Sequence, residues 1–249
     1  MANTHPTLTS LFVDIADAIR ERTGRTESIV ADEFPAWTAD IVDNRVFLTI
    51  VERTIEDLDS AHLAGLTTVG NYAFDGCTNL ALTSLPEGLT SIGAYAFNGC
   101  TNLALTSLPE GITSISGLAF NNCTNLALTS LPEGLTTIGS SAFSSCDNLA
   151  LTSLPESITS IHNSAFEGCT NLALTSLPKS LTSISPFAFQ YCTNLKSLTF
   201  KGTPASIASN AFNYCYNLKT INVPWPEGAV ANAPWGATRA TINYNYTGG

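Results

Sequence analysis

The sequence predicts an α/β repeat solenoid of seven 23-residue coils, preceded by a short helical segment and capped at both ends. Three observations predict it. The cysteines are evenly spaced: Cys77, Cys100, Cys123, Cys146, Cys169, Cys192 and Cys215 each lie 23 residues from the next. A string travels with them: CTNLALTSLPEG is unchanged from Cys77, Cys100 and Cys123, and returns as CDNLALTSLPES from Cys146 and CTNLALTSLPKS from Cys169. An Ala-Phe pair recurs with the same period, at Phe74, Phe97, Phe120, Phe143, Phe166, Phe189 and Phe212. A unit this small cannot bury its own apolar face, so it stacks on its neighbours. Stacking makes a long surface, and function is to be sought there rather than in a pocket.

Residues 1–45 are not repetitive and read as a helical attachment segment. In a first helix Leu11, Ile15 and Ile19 share a face, with Thr9 or Ser10 as cap, Arg20 and Arg22 late, and Gly24 at the end. In a second, Asp32 is the N-cap and Phe34, Trp37 and Ile41 lie on one side. Two such helices hold little core of their own. They are expected to pack on the solenoid, on each other in an oligomer, or on a partner. Residues 46–65 run from a β-rich stretch into the polar ERTIEDLDSAH and read as the N-terminal cap.

The repeats fill residues 66–226, beginning at Leu66, Leu89, Ile112, Leu135, Ile158, Leu181 and Pro204. Each opens on a strand of the type LTTVG or LTSIG. Phenylalanines in register predict an aromatic spine. The asparagines Asn79, Asn102, Asn125, Asn148, Asn171, Asn194 and Asn217 predict a ladder of amides satisfying backbone groups at a turn. The cysteines read as small buried hydrophobes. Coils ~4.8 Å apart, an odd count and no CxxC or HxxxH companion argue against disulfides and metal. Residues 227–249 read as a C-terminal cap strand, with Trp225 and Trp235 covering the end of the core and Ile242 and Tyr244 on one face.

The pattern LTSIGxxAFxxCTNL with a following LPxG resembles the BspA-like (treponemal-type) leucine-rich repeats, over about 160 residues. The resemblance implies a curved solenoid with parallel strands on its concave face, and interaction rather than catalysis. One departure matters. The last two repeats read LKSLTF and LKTINV, the LxxLxL pattern of that family, whereas the first five read LALTSL. Two placements are open, because strand side chains alternate faces. Either Leu82, Leu105, Leu128, Leu151 and Leu174 face outward as a sticky row, or a local bulge restores their burial.

A second resemblance lies at the ends. DIADAIRERTGRTESIVADEFPAWTADI is similar to a segment near the N-termini of tail and fibre proteins of phages and prophages of Gram-positive bacteria. VERTIEDLD running into LTTVGNYAF, and NVPWPEGAVANAPWGATRATINYNYTG at the other end, are similar to the solenoid entry and ending of such proteins. This implies attachment through residues 1–45 to tail or baseplate proteins, with the solenoid presented outward on a virion. A homotrimer would suit a fibre, although no heptad run fixes the number.

Charge narrows the partners. The chain is 44% hydrophobic and 12% charged, with a net charge of −10, and no Lys or Arg occurs between Arg53 and Lys179. Phosphate recognition needs a basic stripe, so nucleic acid and anionic membrane surfaces are rejected. No apolar run of about 18 residues occurs. MANTHPTLTS lacks the basic start and apolar stretch of a signal peptide, which implies synthesis in the host cytoplasm.

Chemistry is sparse. His5, His62 and His162 fall in a tip, a cap and a loop, and the serines have no evident base or oxyanion partner. Glu87, Glu110, Glu133 and Glu156 make a one-per-coil row that Lys179 interrupts, the pattern of a solvated turn face. No enzyme, cofactor or metal is expected.

Variation between repeats is more informative. It concentrates in two windows flanking Ala-Phe, and stacking in register makes these one continuous strip. Tyr72, Tyr95, Leu118, His162, Asn163, Phe187, Tyr191, Tyr214 and Tyr216 are the candidate binding residues. A constant frame with one mixed polar and aromatic strip is how recognition surfaces are built on solenoids. Exposed positions free to drift give the same pattern in one sequence. The expected function is receptor binding by a phage tail or fibre component, to a host surface protein or glycan. The alternative is a bacterial adhesin or protein-interaction module. The acidic strip argues against direct binding of polyanions such as teichoic acid.

Overall fold

The computed structural model describes residues 66–248. The helices expected in residues 1–45 and the cap expected at residues 46–65 lie outside the described residues. From Leu66 onward the chain winds as a solenoid with a 23-residue period. One parallel sheet runs along it, built from β1 (Thr68–Val69), β2 (Ser91–Ile92), β3 (Ser114–Ile115), β4 (Thr137–Ile138), β5 (Ser160–Ile161), β7 (Ser183–Ile184) and β9 (Ser206–Ile207). Each rung pairs with its counterpart in the next coil, as Val69 with Ile92 and Ile115 with Ile138. Each strand turns its Val or Ile into the core.

A second parallel sheet stacks β6 (Ser176–Leu177), β8 (Ser197–Phe200), β10 (Thr220–Asn222) and β11 (Thr241–Asn243) in that order. The rung at β11 extends the seven coils read from the repeats by a partial eighth. This sheet begins at the fifth coil, where the LALTSL segment gives only the two-residue β6 as partner of the longer β8; in the four coils before it no strand forms at this place, and the departure in sequence disfavours one. In LALTSL, Leu82 and Leu85 are both buried while Thr83 and Ser84 between them are both exposed. Two consecutive outward residues break the period of two that a strand requires. In β8 the burial alternates cleanly, and four residues of ladder form. Of the two open placements, the one that buries these leucines is therefore the outcome. Leu82, Leu105, Leu128, Leu151 and Leu174 are all core, and no sticky leucine row exists.

Among the described residues there is no helix, so the α part of the expected class has no counterpart there. The Ala-Phe arc shows why. Left-handed residues recur four apart within it, for example Tyr72 at φ 59° and Gly76 at φ 77°. A right-handed helix cannot run through them. The arc is instead a chain of tight turns, with the Asp75 N–H donating to the Tyr72 carbonyl and the Cys77 N–H to the Phe74 carbonyl.

The phenylalanine spine forms as expected. Neighbouring rings from Phe74 to Phe212 stack with centroids 5.2–5.5 Å apart and planes within 10°. The cysteines do more than fill space. Each thiol from Cys100 onward donates to the carbonyl of the phenylalanine one coil earlier, as Cys100 to Phe74 at 2.9 Å and Cys146 to Phe120 at 3.0 Å. The asparagines take a smaller part than expected. They lie at the surface and bond in places, as Asn217 Nδ2 to the Thr193 carbonyl at 2.7 Å. At the C-terminal end Trp225 and Trp235 are buried against Phe200, with ring centroids 5.2 and 6.0 Å from it.

Candidate recognition strip

The strip follows from the backbone of the arc. Two left-handed positions flank the inward Ala-Phe pair in each of the first six coils, and one follows it in the seventh. The first column holds Tyr72, Tyr95, Leu118, Ser141, Ser164 and Phe187, at φ between 54° and 59°. The second holds Gly76, Gly99, Asn122, Ser145, Gly168, Tyr191 and Tyr214, at φ between 58° and 77°. Left-handed backbone costs a side-chain-bearing residue roughly 1–2 kcal/mol. Bonds between coils hold it in place. The N–H groups of Tyr72, Phe74 and Gly76 donate to the carbonyls of Ala94, Ala96 and Asn98 at 2.7–2.9 Å, and the pattern repeats along the solenoid. A second ladder runs beside it. Asn98 Nδ2 donates to Asp75 Oδ1 and Asn121 Nδ2 to Asn98 Oδ1, both at 2.7 Å.

The candidate residues gather in two groups. Tyr72 and Tyr95 stack at 4.7 Å with planes 16° apart, near the N-terminal end. Tyr191 and Tyr214 stack at 4.7 Å in the sixth and seventh coils, and Tyr216 leans on Tyr214 at 5.9 Å. These three tyrosines and Phe187 are 37–44% exposed, the most exposed large apolar side chains there apart from Tyr246. Four coil spacings, about 19 Å, separate Tyr95 from Phe187. Leu118, in the same column, is half-buried. His162 and Asn163 are exposed at the first window of the fifth coil, with His162 Nε2 3.3 Å from Ser160 Oγ.

Other clusters offer no chemistry. Among the described residues no three His, Cys, Asp or Glu side chains converge as metal ligands. The acidic row does interact along the axis. Glu110 Oε2 accepts from the Glu133 N–H, and Glu156 pairs with Lys201 and accepts from the Lys179 N–H. Those contacts hold the Glu156 carboxyl below the ordinary carboxylate value. The buried thiols are pushed the other way, and burial is the main cause.

A family model for the BspA type leucine rich repeat region matches in six copies, over residues 57–173 and 136–228. The chain belongs to the BspA-type leucine-rich repeat family. Among solved structures, a leucine-rich repeat protein of T. pallidum is 35% identical, over 63% of this chain and 78% of that one, with a TM-score of 0.52. A leucine-rich repeat protein from Bacteroides ovatus is 24% identical over 72% of this chain, with a TM-score of 0.44; the match spans 58% of that protein's length. A leucine rich cell surface protein from Faecalibacterium prausnitzii is 20% identical over 85% of this chain and 83% of that one, with a TM-score of 0.35. No curated protein matches the sequence.

Sequence reasoning missed two things about this BspA-type surface. One is that the variable positions are left-handed. The interchange of Gly and Asn among Gly76, Gly99, Asn122 and Gly168 carried that signal, since these two types visit this backbone most readily. The other is a set of cationic residues at the C-terminal end, Arg239 above all. Its guanidinium lies 5.0 Å over the Tyr216 ring.

Proposed function

We propose that the protein is a non-enzymatic recognition component of a phage tail or fibre. In this reading residues 1–45 attach it to the particle and the strip contacts a protein or glycan on the host surface. One observation carries the recognition role: a stacked, exposed tyrosine pair, Tyr191 and Tyr214, held at left-handed positions on an otherwise copied frame. Strain kept against its cost is a pointer to function. Stacked tyrosines give rigid amphipathic contact at little entropic cost. Membership of the BspA-type family is consistent with adhesion or protein binding. The place on a virion rests on the similarity of the two chain ends to tail proteins.

The test is binding of the purified chain to intact cells of Gram-positive hosts, beside a variant with Tyr72, Tyr95, Phe187, Tyr191 and Tyr214 changed to Ser. Serine suits these positions, because Ser141, Ser164 and Ser145 already occupy the same two columns. Saturable binding lost in the variant, with unfolding unchanged, supports the strip. Equal binding by both chains moves the receptor site to another face. Failure to co-sediment with phage particles would remove the virion role and favour a free-standing adhesin.

A further inference from the structure

Charge is divided along the solenoid. Residues 66–178 hold seven acids and no Lys or Arg, whereas residues 179–248 hold five bases and one acid, Glu227. At the basic end, between the seventh coil and the cap, lies a cleft of about 230 Å³. Asn213, Tyr214, Tyr216, Gly236, Thr238 and Arg239 line it. Gly236 has φ +89°, and a Cβ there would meet the Asn213 backbone N at 2.9 Å; the bare backbone is what lets the cap close onto this coil.

Two cations flank Tyr216. Arg239 lies over its ring, and Lys219 Nζ donates to its carbonyl at 3.1 Å. Among the described residues no carboxylate pairs with Arg239. The backbone adds to the same field. Along the Ala-Phe arc the N–H groups of each coil donate toward the following coil, so these peptide dipoles point one way. At the last coil the Phe212 N–H meets the Trp235 carbonyl, while the Tyr214 N–H has no partner among the described residues. The positive ends of the arc therefore face the cleft.

We infer that this cleft binds a carboxylate-bearing sugar residue. Arg239 holds the carboxylate, as its planar fork matches two coplanar oxygens. Tyr214 and Tyr216 wall the ring with amphipathic aromatic surface, and Asn213 and Thr238 supply hydroxyl partners. The volume is below the roughly 300–1,000 Å³ of clefts for drug-sized ligands, which suits a single ring at the end of a glycan. The inference rests on the recognition role above and names the ligand class for the C-terminal end of the strip. It also amends the expectation that the strip repels anions throughout, since the repulsive acids lie at the other end.

The experiment titrates D-glucuronate into the full chain and follows tyrosine side-chain NMR shifts, with glucose, acetate and inorganic phosphate in parallel. Saturable glucuronate binding at least tenfold tighter than glucose or acetate, and weakened tenfold or more in Arg239→Gln, is the expected result. Arg239 is exposed, and unchanged thermal unfolding of the variant shows that its fold is kept. Equal binding of glucose and glucuronate overturns the assignment. So does phosphate binding as tightly as glucuronate, or glucuronate binding that ignores Arg239→Gln. Cell binding that persists while glucuronate fails sinks the cleft and leaves the strip standing. Glucuronate binding to a chain that binds no cells sinks the recognition role and leaves the cleft.

Discussion

Raising the pH should unfold this solenoid from within. Cys100, Cys123, Cys146, Cys169, Cys192 and Cys215 are buried and donate their S–H to phenylalanine carbonyls. Burial pushes all six thiols up, Cys123 and Cys215 to about 12, and neighbouring thiols add to the effect at Cys100, Cys146 and Cys192. An unperturbed thiol titrates near 9.0. The folded chain therefore keeps protons that the unfolded chain releases. Stability is fully present below the unfolded value and is lost as pH rises through it toward the folded values. Each thiol loses under about 1 kcal/mol by pH 9 and roughly 1–2 kcal/mol by pH 10. For six the loss is about 2 and then about 8 kcal/mol, against a usual domain stability of about 5–15 kcal/mol. Urea unfolding under reductant at about pH 7.5, 8.5 and 9 measures it below the range where Tyr and Lys titrate. Cys146→Ser keeps a donor for the Phe120 carbonyl and removes one titration, so its pH slope should fall by about one sixth. A free energy flat to within about 0.5 kcal/mol across that range would show that the thiols reach water, and would refute the reasoning.

Three further outcomes follow from the packing. Phe143→Ala removes a fully buried ring from between Phe120 and Phe166, and should cost about 3–5 kcal/mol in equilibrium unfolding. Gly202→Ala should destabilise strongly, because its Cβ would fall 2.9 Å from the Lys179 Cα; Gly134→Ala meets nothing within 4 Å and should be neutral, and a thermal melt compares the two. Ser145→Gly relieves a left-handed side chain at φ 58° where three other coils already use glycine. It should be neutral or stabilising by up to about 1 kcal/mol, the strain relieved offsetting the entropy gained by the unfolded chain, whereas Ser145→Val should lose more than that.

Much of the fold was legible because the chain repeats itself. Period, spine, rungs and the burial of the cysteines all follow from comparing one coil with the next. The α part of the expected class was not, because LTSIGxxAFxxC carries apolar residues at spacings that turns and helices share. Only the Gly and Asn interchange at positions 76, 99, 122 and 168 marks the left-handed backbone that decides between them. The placement of Leu82 stayed open for a related reason: a single-residue shift moves every following side chain to the other face, and only the observed pair of outward residues, Thr83 and Ser84, shows where the shift is absorbed. The strip was read from variation alone, which names columns but not neighbours. It could not show that Tyr72 stacks on Tyr95, nor that Arg239, far from any repeat motif, comes to lie over Tyr216.

The charges bear on whether the strip is built or merely tolerated. Along the Ala-Phe arc the carbonyl ends point to the N-terminal coils and the N–H ends to the C-terminal cap. A dipole of this sense favours acids at the N–H end and bases at the carbonyl end. The chain does the reverse. Asp75 lies in the first coil of the arc and Arg239 at its far end, with Lys219 beside it. Drift at exposed positions has no reason to sort charge against a dipole. Local rules broken together at one place are characteristic of functional sites. The arrangement concentrates positive potential at the one end of an acidic molecule where a cleft, two exposed tyrosines and an unpaired guanidinium coincide.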